Sequence, residues 1–502
     1  MQLTQARDAL RDYQKTAYAL RHAMSVLYVD GNTAASRESW RGRSKATGYL
    51  SGQLYQLTAA PENEDMLSTI LSSREDCTPE EVRQAELIRE DLEDMRLFSR
   101  QEYTEHQQLL TQSDAVWHAA KTADDYASFA PYLEKLIAYS RLFAERKDAH
   151  RQAYDVLLDT YEKGTCMAAL DPFFNALRTE LTPLIREIAA SPQPDAGFLH
   201  AGYPAALQEA FAYRVMNLIG LDPDRCTLST TEHPFTSGCN KWDVRITTHY
   251  HEDDVSSSMF SVIHEGGHAL YELGVDDCYQ FTRLSGGSSM SIHECQSRFY
   301  ENLIGRSRAF SELVLPAVHE IFPEQTRGVS AEDWYRAVNQ SMPTLVRTQA
   351  DELTYPLHIV IRYELEKRLF SGDLSVHDLP GEWKRMYQEY LGIQVPDDRT
   401  GVLQDSHWSG GMFGYFPSYA LGSAYGVSIL ENMNREMNVD ALVREGRIQC
   451  ITDWLRRKIH HWGQFLTPSE LLASAGVPAF DPQPYIRYLT HKYRELYHLR
   501  QE

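Results

Sequence analysis

The chain has 502 residues, 43% hydrophobic and 24% charged, which is enough to bury one large core or two to three smaller ones and excludes disorder, collagen and a disulfide miniprotein. Forty-nine Lys+Arg against 70 Asp+Glu give a formal charge of −21, so the molecular field repels phosphate backbones and anionic bilayers, and neither nucleic acid nor a membrane is expected as a partner. The first residues carry no apolar run of signal-peptide type. The seven scattered cysteines contain no Cys-x-x-Cys, which suits reduced thiols in a cytoplasm.

Along the chain, apolar residues recur mostly at three-to-four spacing, with charges on the opposite face over residues 80–110 and 132–147, so both stretches are predicted helices. Thr78-Pro79-Glu80-Glu81 marks a start by its capping Thr, its Pro at the first helical position and a Glu three after the cap. The acidic amphipathic helices of about residues 1–112 are expected to form a cover on a single domain spanning 1–502. Ser191-Pro-Gln-Pro-Asp-Ala-Gly197 is linker-like but short, and reads as a loop within that domain. Between 226 and 250 the period changes to two: Trp242, Val244, Ile246 and Thr248 alternate with Asp243, Arg245, Thr247 and His249, predicting one strand with a weaker partner over 226–231. Residues 406–430 lack Asp, Glu, Lys and Arg but are rich in Gly, Ser and Pro, which predicts a buried, loop-rich segment and not a spanning helix. Thr467-Pro468-Ser469-Glu470 marks a second helix start. The fold class is mainly α, with a small β element near 226–250.

The chemistry concentrates in Ser258-Met-Phe-Ser-Val-Ile-His264-Glu265-Gly266-Gly267-His268. Two imidazoles at i and i+4 share one helical face and can bind one Zn²⁺, while Glu265 reaches a water at that ion. A plain helix with two histidines on a polar face is the bland alternative. Against it stand the adjacent glycines, each costing about 1 kcal/mol in a helix interior, which make sense if something such as a substrate approaches that backbone closely. A third ligand is required. The metzincin pattern fails, because Tyr271 and Gly274 stand where it needs Gly and His. Glu294, His293 and Glu272 all remain open on residue chemistry, Glu272 more naturally as a support. A di-iron reading through Glu265-x-x-His268 and Glu495-x-x-His498 needs two more carboxylates that nothing marks.

Six segments in order, His233-Pro-Phe, Asp243-Val-Arg245-Ile-Thr247, His264-Glu265-Gly-Gly-His268, His293-Glu294-Cys295-Gln296, Val346-Arg347-Thr-Gln-Ala-Asp351 and Gly401-Val-Leu-Gln404-Asp405-Ser-His407-Trp408, resemble the thermostable, Taq-type metallocarboxypeptidases. Cys295 stands where that family usually has Ser or Gly, and Val346 where it often has Ile. A thiol beside a ligand would make the site oxidant-sensitive. The resemblance implies a helical peptidase fold with a deep groove over the metal, usually homodimeric, that removes single C-terminal residues from peptides with broad side-chain tolerance. It implies His264, His268 and Glu294 as ligands of one zinc ion per subunit, with cobalt possible, and Glu265 as general base.

The other motif residues take expected roles from this. His233, in a loop fixed by Pro234, would contact the substrate or the oxyanion. Arg347 would pair with the substrate's terminal carboxylate, or with Asp351 one turn on. His407, Tyr415 and Tyr419 would line the pocket. Asp243, Arg245 and Thr247 share a strand face and would orient the site helix, and Gln404, Asp405 and Trp408 would support and pack. Two rivals are an endopeptidase or oligopeptidase of the same helical zinc class, and a non-catalytic, zinc-stabilised peptide-binding protein, against which Glu265 argues.

Overall fold

The computed structural model describes residues 1–477 and 480–500. Helices dominate, and a three-stranded sheet sits in the middle of the chain. β1 (Cys226–Thr230), β2 (Thr236–Asn240) and β3 (Asp243–Thr248) order as β1-β3-β2. β3 pairs parallel with β1 and antiparallel with β2. The strand predicted from alternation is thus the central one, with Val244, Ile246, Thr247 and Thr248 all buried. Its second partner was not expected: the polar sequence Thr-Ser-Gly-Cys-Asn of β2 carries no alternating apolar face.

The N-terminal helices α1 (Leu3–Asn32), α2 (Trp40–Thr58), α3 (Glu62–Ser72) and α4 (Pro79–Arg96) have their own small core of Ala6, Leu10, Met66, Leu67, Ile88 and Leu92 among others. The predicted start of α4 holds, with Thr78 and Glu81 capping each other. The predicted helix over 80–110 is two helices. It breaks at Leu97–Ser99, where Ser99 and Glu102 form a second capping box that opens Arg100–Ala123. The main core runs from Trp117 to Tyr497. A bridge of Leu87, Val275, Tyr279 and Leu284, together with Arg283 bound through two nitrogens to Asp91, joins α4 to it.

The motif helix spans Val255–Gly274, and Asp254 caps its first turn by accepting from Ser256 and Ser257 N–H. The Gly/Ser loop after it leads, as expected, into a second helix, Met290–Arg298, which continues as a π-helical segment, Phe299–Gly305. The segment 406–430 is buried, but its second half is not loop: Pro417–Glu436 is a helix. Its small residues are the contact surface. A Cβ on Gly422 would lie 2.8 Å from Cys295 N and 2.9 Å from Glu294 Cβ, so glycine lets this helix press against the second helix at the site. No described helix is long and apolar enough to cross a membrane.

Candidate active site

Helical spacing turns His264 and His268 to one side of the motif helix, and the second helix brings Glu294 to them. Donor atoms of the three side chains all lie within 4.8 Å of one another. Glu294 Oε2 is 3.9 Å from His264 Nε2 and 3.7 Å from His268 Nε2. Two metal–ligand bonds of about 2.1 Å each span at most about 4.2 Å, so at these separations one ion can reach Glu294 Oε2 together with either imidazole. His293, the local competitor, faces away: its Nδ1 is 2.8 Å from His268 Nδ1 and its Nε2 2.7 Å from Glu272 Oε1. The di-iron alternative finds no geometry, because His498 is exposed and paired with Arg336.

The adjacent glycines have a different reason from the expected one. A Cβ on Gly267 would lie 2.6 Å from Gln296 O and 2.7 Å from Ser297 Cα, and one on Gly266 2.5 Å from Ile219 Cδ1. What approaches the backbone there is the second helix and a core isoleucine, not a substrate. The oxidant-sensitive thiol is also corrected: Cys295 is fully buried and burial pushes its thiol far up, which keeps it protonated and unreactive.

Glu265 is buried, and Thr236 Oγ1 in β2 donates to its Oε2 at 2.6 Å. Burial raises the Glu265 carboxyl above its usual value, against the opposing pull of His264 and Thr236. His264 Nδ1 donates to Glu301 Oε2 at 2.8 Å, and the same oxygen accepts from Arg298 Nη1 at 2.8 Å. Arg298 Nε reaches Glu294 Oε1 at 2.7 Å. Thr236, Glu301 and Arg298 escaped the sequence reading, although Glu294, Arg298 and Glu301 recur at four-and-three spacing, the signature of one helical face.

A cleft of about 670 Å³ contains His264, Glu265, Glu294, Arg347, Tyr355 and Tyr419 on its walls. Arg347 does not pair with Asp351. It lies in a single 3₁₀ turn, Arg347–Gln349, where helical spacing does not apply, and its Nε and Nη2 donate to Asp405 Oδ1 at 3.1 and 2.9 Å. Asp351 instead accepts from Leu353 and Thr354 N–H, in the turn that precedes the helix Tyr355–Ser371. Arg362, wholly buried, holds the other Asp405 oxygen at 2.6 Å. Burial alone would raise the Asp405 carboxyl, but Arg362 and Arg347 together hold it far below the usual carboxylate range. Gln404 Oε1 accepts from Arg347 N and Arg362 Nη2, both at 2.8 Å, and Trp408 Nε1 donates to Glu366.

His407 Nε2 is 3.0 Å from Tyr419 OH. Burial brings His407 down to about 4, so it is neutral near pH 7, and burial raises Tyr415 to about 12. Tyr415 packs edge-on to Tyr419. His233 is exposed, and the next residue, Pro234, is the one on the cleft wall. Thr247 ties that loop down, accepting from Phe235 N–H at 2.8 Å and bonded to Thr231 Oγ1. Asp243 and Arg245 bond to each other through both carboxylate oxygens. The strand motif thus braces the 231–235 loop through Thr247, while Asp243 and Arg245 form a pair of their own.

Two histidines and a carboxylate gathered at a cleft, beside a second buried carboxylate, on a helical frame, define a metallopeptidase site. The comparisons agree. The family model described as Carboxypeptidase Taq (M32) metallopeptidase matches residues 9–493. Carboxypeptidase 1 of Bacillus subtilis is 37% identical over 477 residues, 95% of each chain, and Thermostable carboxypeptidase 1 of Thermus thermophilus is 34% identical over 501 residues, 97% of this chain and 98% of that one. The crystal structure of an M32 carboxypeptidase from Deinococcus radiodurans superposes with a TM-score of 0.95 at 33% identity, covering 99% of this chain and 100% of that chain. The chain belongs to the Taq-type (M32) carboxypeptidase family and is a metal-dependent carboxypeptidase acting on peptides.

Proposed function

We propose that the cleft releases single C-terminal residues from peptides with broad side-chain tolerance, with His264, His268 and Glu294 holding one zinc ion and Glu265 as general base. The observation that carries this reading is the convergence of those three donors within 4.8 Å, with Glu265 and Arg347 lining the same cleft. Two neutral imidazoles and one carboxylate are the donor set of catalytic zinc, and cobalt can occupy such a site. The ion, when bound, supplies Lewis acidity to water and to the scissile carbonyl.

Glu265 is oriented by Thr236 on one oxygen, which leaves the other to take a proton and return it to the departing amine. Asp405 carries one negative charge between two guanidiniums, so the group of Arg347, Asp405 and Arg362 retains one net positive charge. Arg347 presents it to the cleft beside Tyr355 OH, 2.9 Å from its Nη1, and pairs with the substrate's terminal carboxylate. Tyr419, held by His407, and Tyr415 donate to that carboxylate or to the oxyanion, and His233 closes the rim.

The chain acts as a single catalytic domain, with its N-terminal helices as a cover. Their separate core supports this, as does α1 lying along β2, where Asn240 donates to Tyr18 OH and Tyr28 meets Phe235 edge-on. A cavity of about 720 Å³ between these helices and Gly238, Cys239 and Arg283 leaves room beneath it. A homodimer in the cytoplasm completes the reading. Seven unpaired cysteines suit that compartment, and light scattering reads the mass. The test of the chemistry is Glu265→Gln, expected to retain one zinc per chain by elemental analysis while losing about 10²- to 10⁴-fold in turnover. Wild-type turnover in the metal-loaded variant would remove Glu265 as base.

A further inference from the structure

The two histidines of the motif helix are backed by chemically different groups. His264 Nδ1 meets a carboxylate, Glu301. His268 Nδ1 meets another imidazole, His293, whose far nitrogen meets Glu272. We propose that His293, held by Glu272, is a positioning residue that fixes His268 in the tautomer whose Nε2 lone pair faces the metal site.

The ligand role of His268 and the hydrogen-bond inventory together give one assignment. Glu272 Oε1 accepts from Gly287 N–H at 3.1 Å as well as from His293, so His293 Nε2 carries a hydrogen. A histidine that binds a metal through Nε2 keeps its hydrogen on Nδ1, and with His293's own hydrogen turned to Glu272 its Nδ1 is the acceptor. The single hydrogen in the 2.8 Å gap therefore belongs to His268 Nδ1, and His268 Nε2, the atom 3.7 Å from Glu294 Oε2, keeps its lone pair.

The surroundings are shaped to hold these rings. A Cβ on Gly287 would lie 2.5 Å from His293 Cδ2, and one on Gly238 2.8 Å from Glu272 Oε2. The Tyr271 ring packs 5.0 Å from His293, and its hydroxyl accepts from Ser288 N–H at 3.0 Å. Loop, strand and motif helix thus each leave or fill the space that His293 and Glu272 need. A carboxylate behind a ligand imidazole makes it a stronger donor than a neutral imidazole does. With Glu294 contributing a negative charge, an imidazole behind His268 would leave a bound ion more Lewis-acidic than a second carboxylate there would.

The inference rests on His264, His268 and Glu294 being the ligands, and its test separates the two claims. Zinc dissociation constants are measured on metal-free wild type, His293→Leu, His293→Gln and Gly287→Ala by competition with a chromophoric chelator. Ring ¹⁵N shifts of His268 are read in histidine-labelled metal-free protein, assigned against His268→Gln. The expected result is the Nδ1–H tautomer in wild type. His293→Leu should show mixed tautomers and about 10- to 100-fold weaker zinc, and His293→Gln, whose amide oxygen can accept, should recover most of the affinity. Gly287→Ala, which displaces the ring, should also bind more weakly, and it carries the test if His293→Leu does not fold. Wild-type affinity in every folded one of His293→Leu and Gly287→Ala, or the Nε2–H tautomer in wild type, overturns the positioning role while leaving the ligand assignment intact. A wild-type protein that binds no zinc overturns both.

Discussion

Gly267→Ala tests whether packing between two helices sets the metal geometry. Its Cβ would stand 2.6 Å from Gln296 O and 2.7 Å from Ser297 Cα, where unstrained contacts between carbon atoms need about 3.5–4.0 Å. Both neighbours are backbone, so no side chain can swing away, and the second helix must retreat by about 1 Å. Glu294 stands two and three residues before those atoms and retreats with them, whereas metal–ligand distances tolerate about 0.2 Å. Overpacking of this kind costs about 1–3 kcal/mol. The expected outcome is a loss of that size in denaturant unfolding of the metal-free protein, together with at least a tenfold rise in the zinc dissociation constant. Unchanged stability would refute the packing argument. Lost stability with wild-type zinc affinity would show that the site geometry does not depend on this contact.

Three further outcomes follow from the same geometry. Arg347→Lys keeps the charge but loses the planar fork, and should lower kcat/KM on free-acid peptides by about 10- to 100-fold with zinc affinity and unfolding midpoint unchanged; a matching loss of stability would make Arg347 structural. Glu366 accepts from Trp408 Nε1, Tyr154 OH and Gly414 N–H, more than the single amide oxygen of a glutamine side chain would serve well, so Glu366→Gln should cost about 1–3 kcal/mol at acid pH. Burial raises the Glu366 carboxyl from 4.5 to about 7. The native state therefore keeps a proton that the unfolded chain releases, and this contribution is full below pH 4.5 and lost as pH rises to 7, by an amount on the order of 3 kcal/mol. The deficit of Glu366→Gln should shrink across that window, and a constant deficit would contradict the assignment. Cys295 should resist thiol reagents in the native protein and react only on unfolding, as peptide mapping would read; native labelling would contradict its burial.

How far the sequence reached depended on how local each signal was. His264, Glu265 and His268 lie within one turn and a half of helix, so spacing alone specified their common face. Glu294 did not follow from spacing, because its approach depends on two glycine contacts between helices, at Gly267 and Gly422, remote from each other in sequence. Gly422 also shows why Pro417–Glu436 read as loop: the small residues that weaken helix propensity are the ones that allow close helix packing, and tertiary contact outweighed propensity. Ser99 and Glu102 did carry a local signal for the break in 80–110, a capping box like those at Thr78 and Thr467. Thr236 had none, since β2 is too short and polar to show a period. The pairing of Arg347 with Asp405 spans 58 residues and is fixed by packing around the buried Arg362.

The most direct measurement is mass spectrometry of one mixed-sequence peptide, as free acid and as C-terminal amide, incubated with the protein with and without a chelator. The account predicts a ladder of one-residue losses from the free acid alone, abolished by the chelator and restored by zinc. Internal cuts in both peptides, or a ladder indifferent to the chelator, would contradict it.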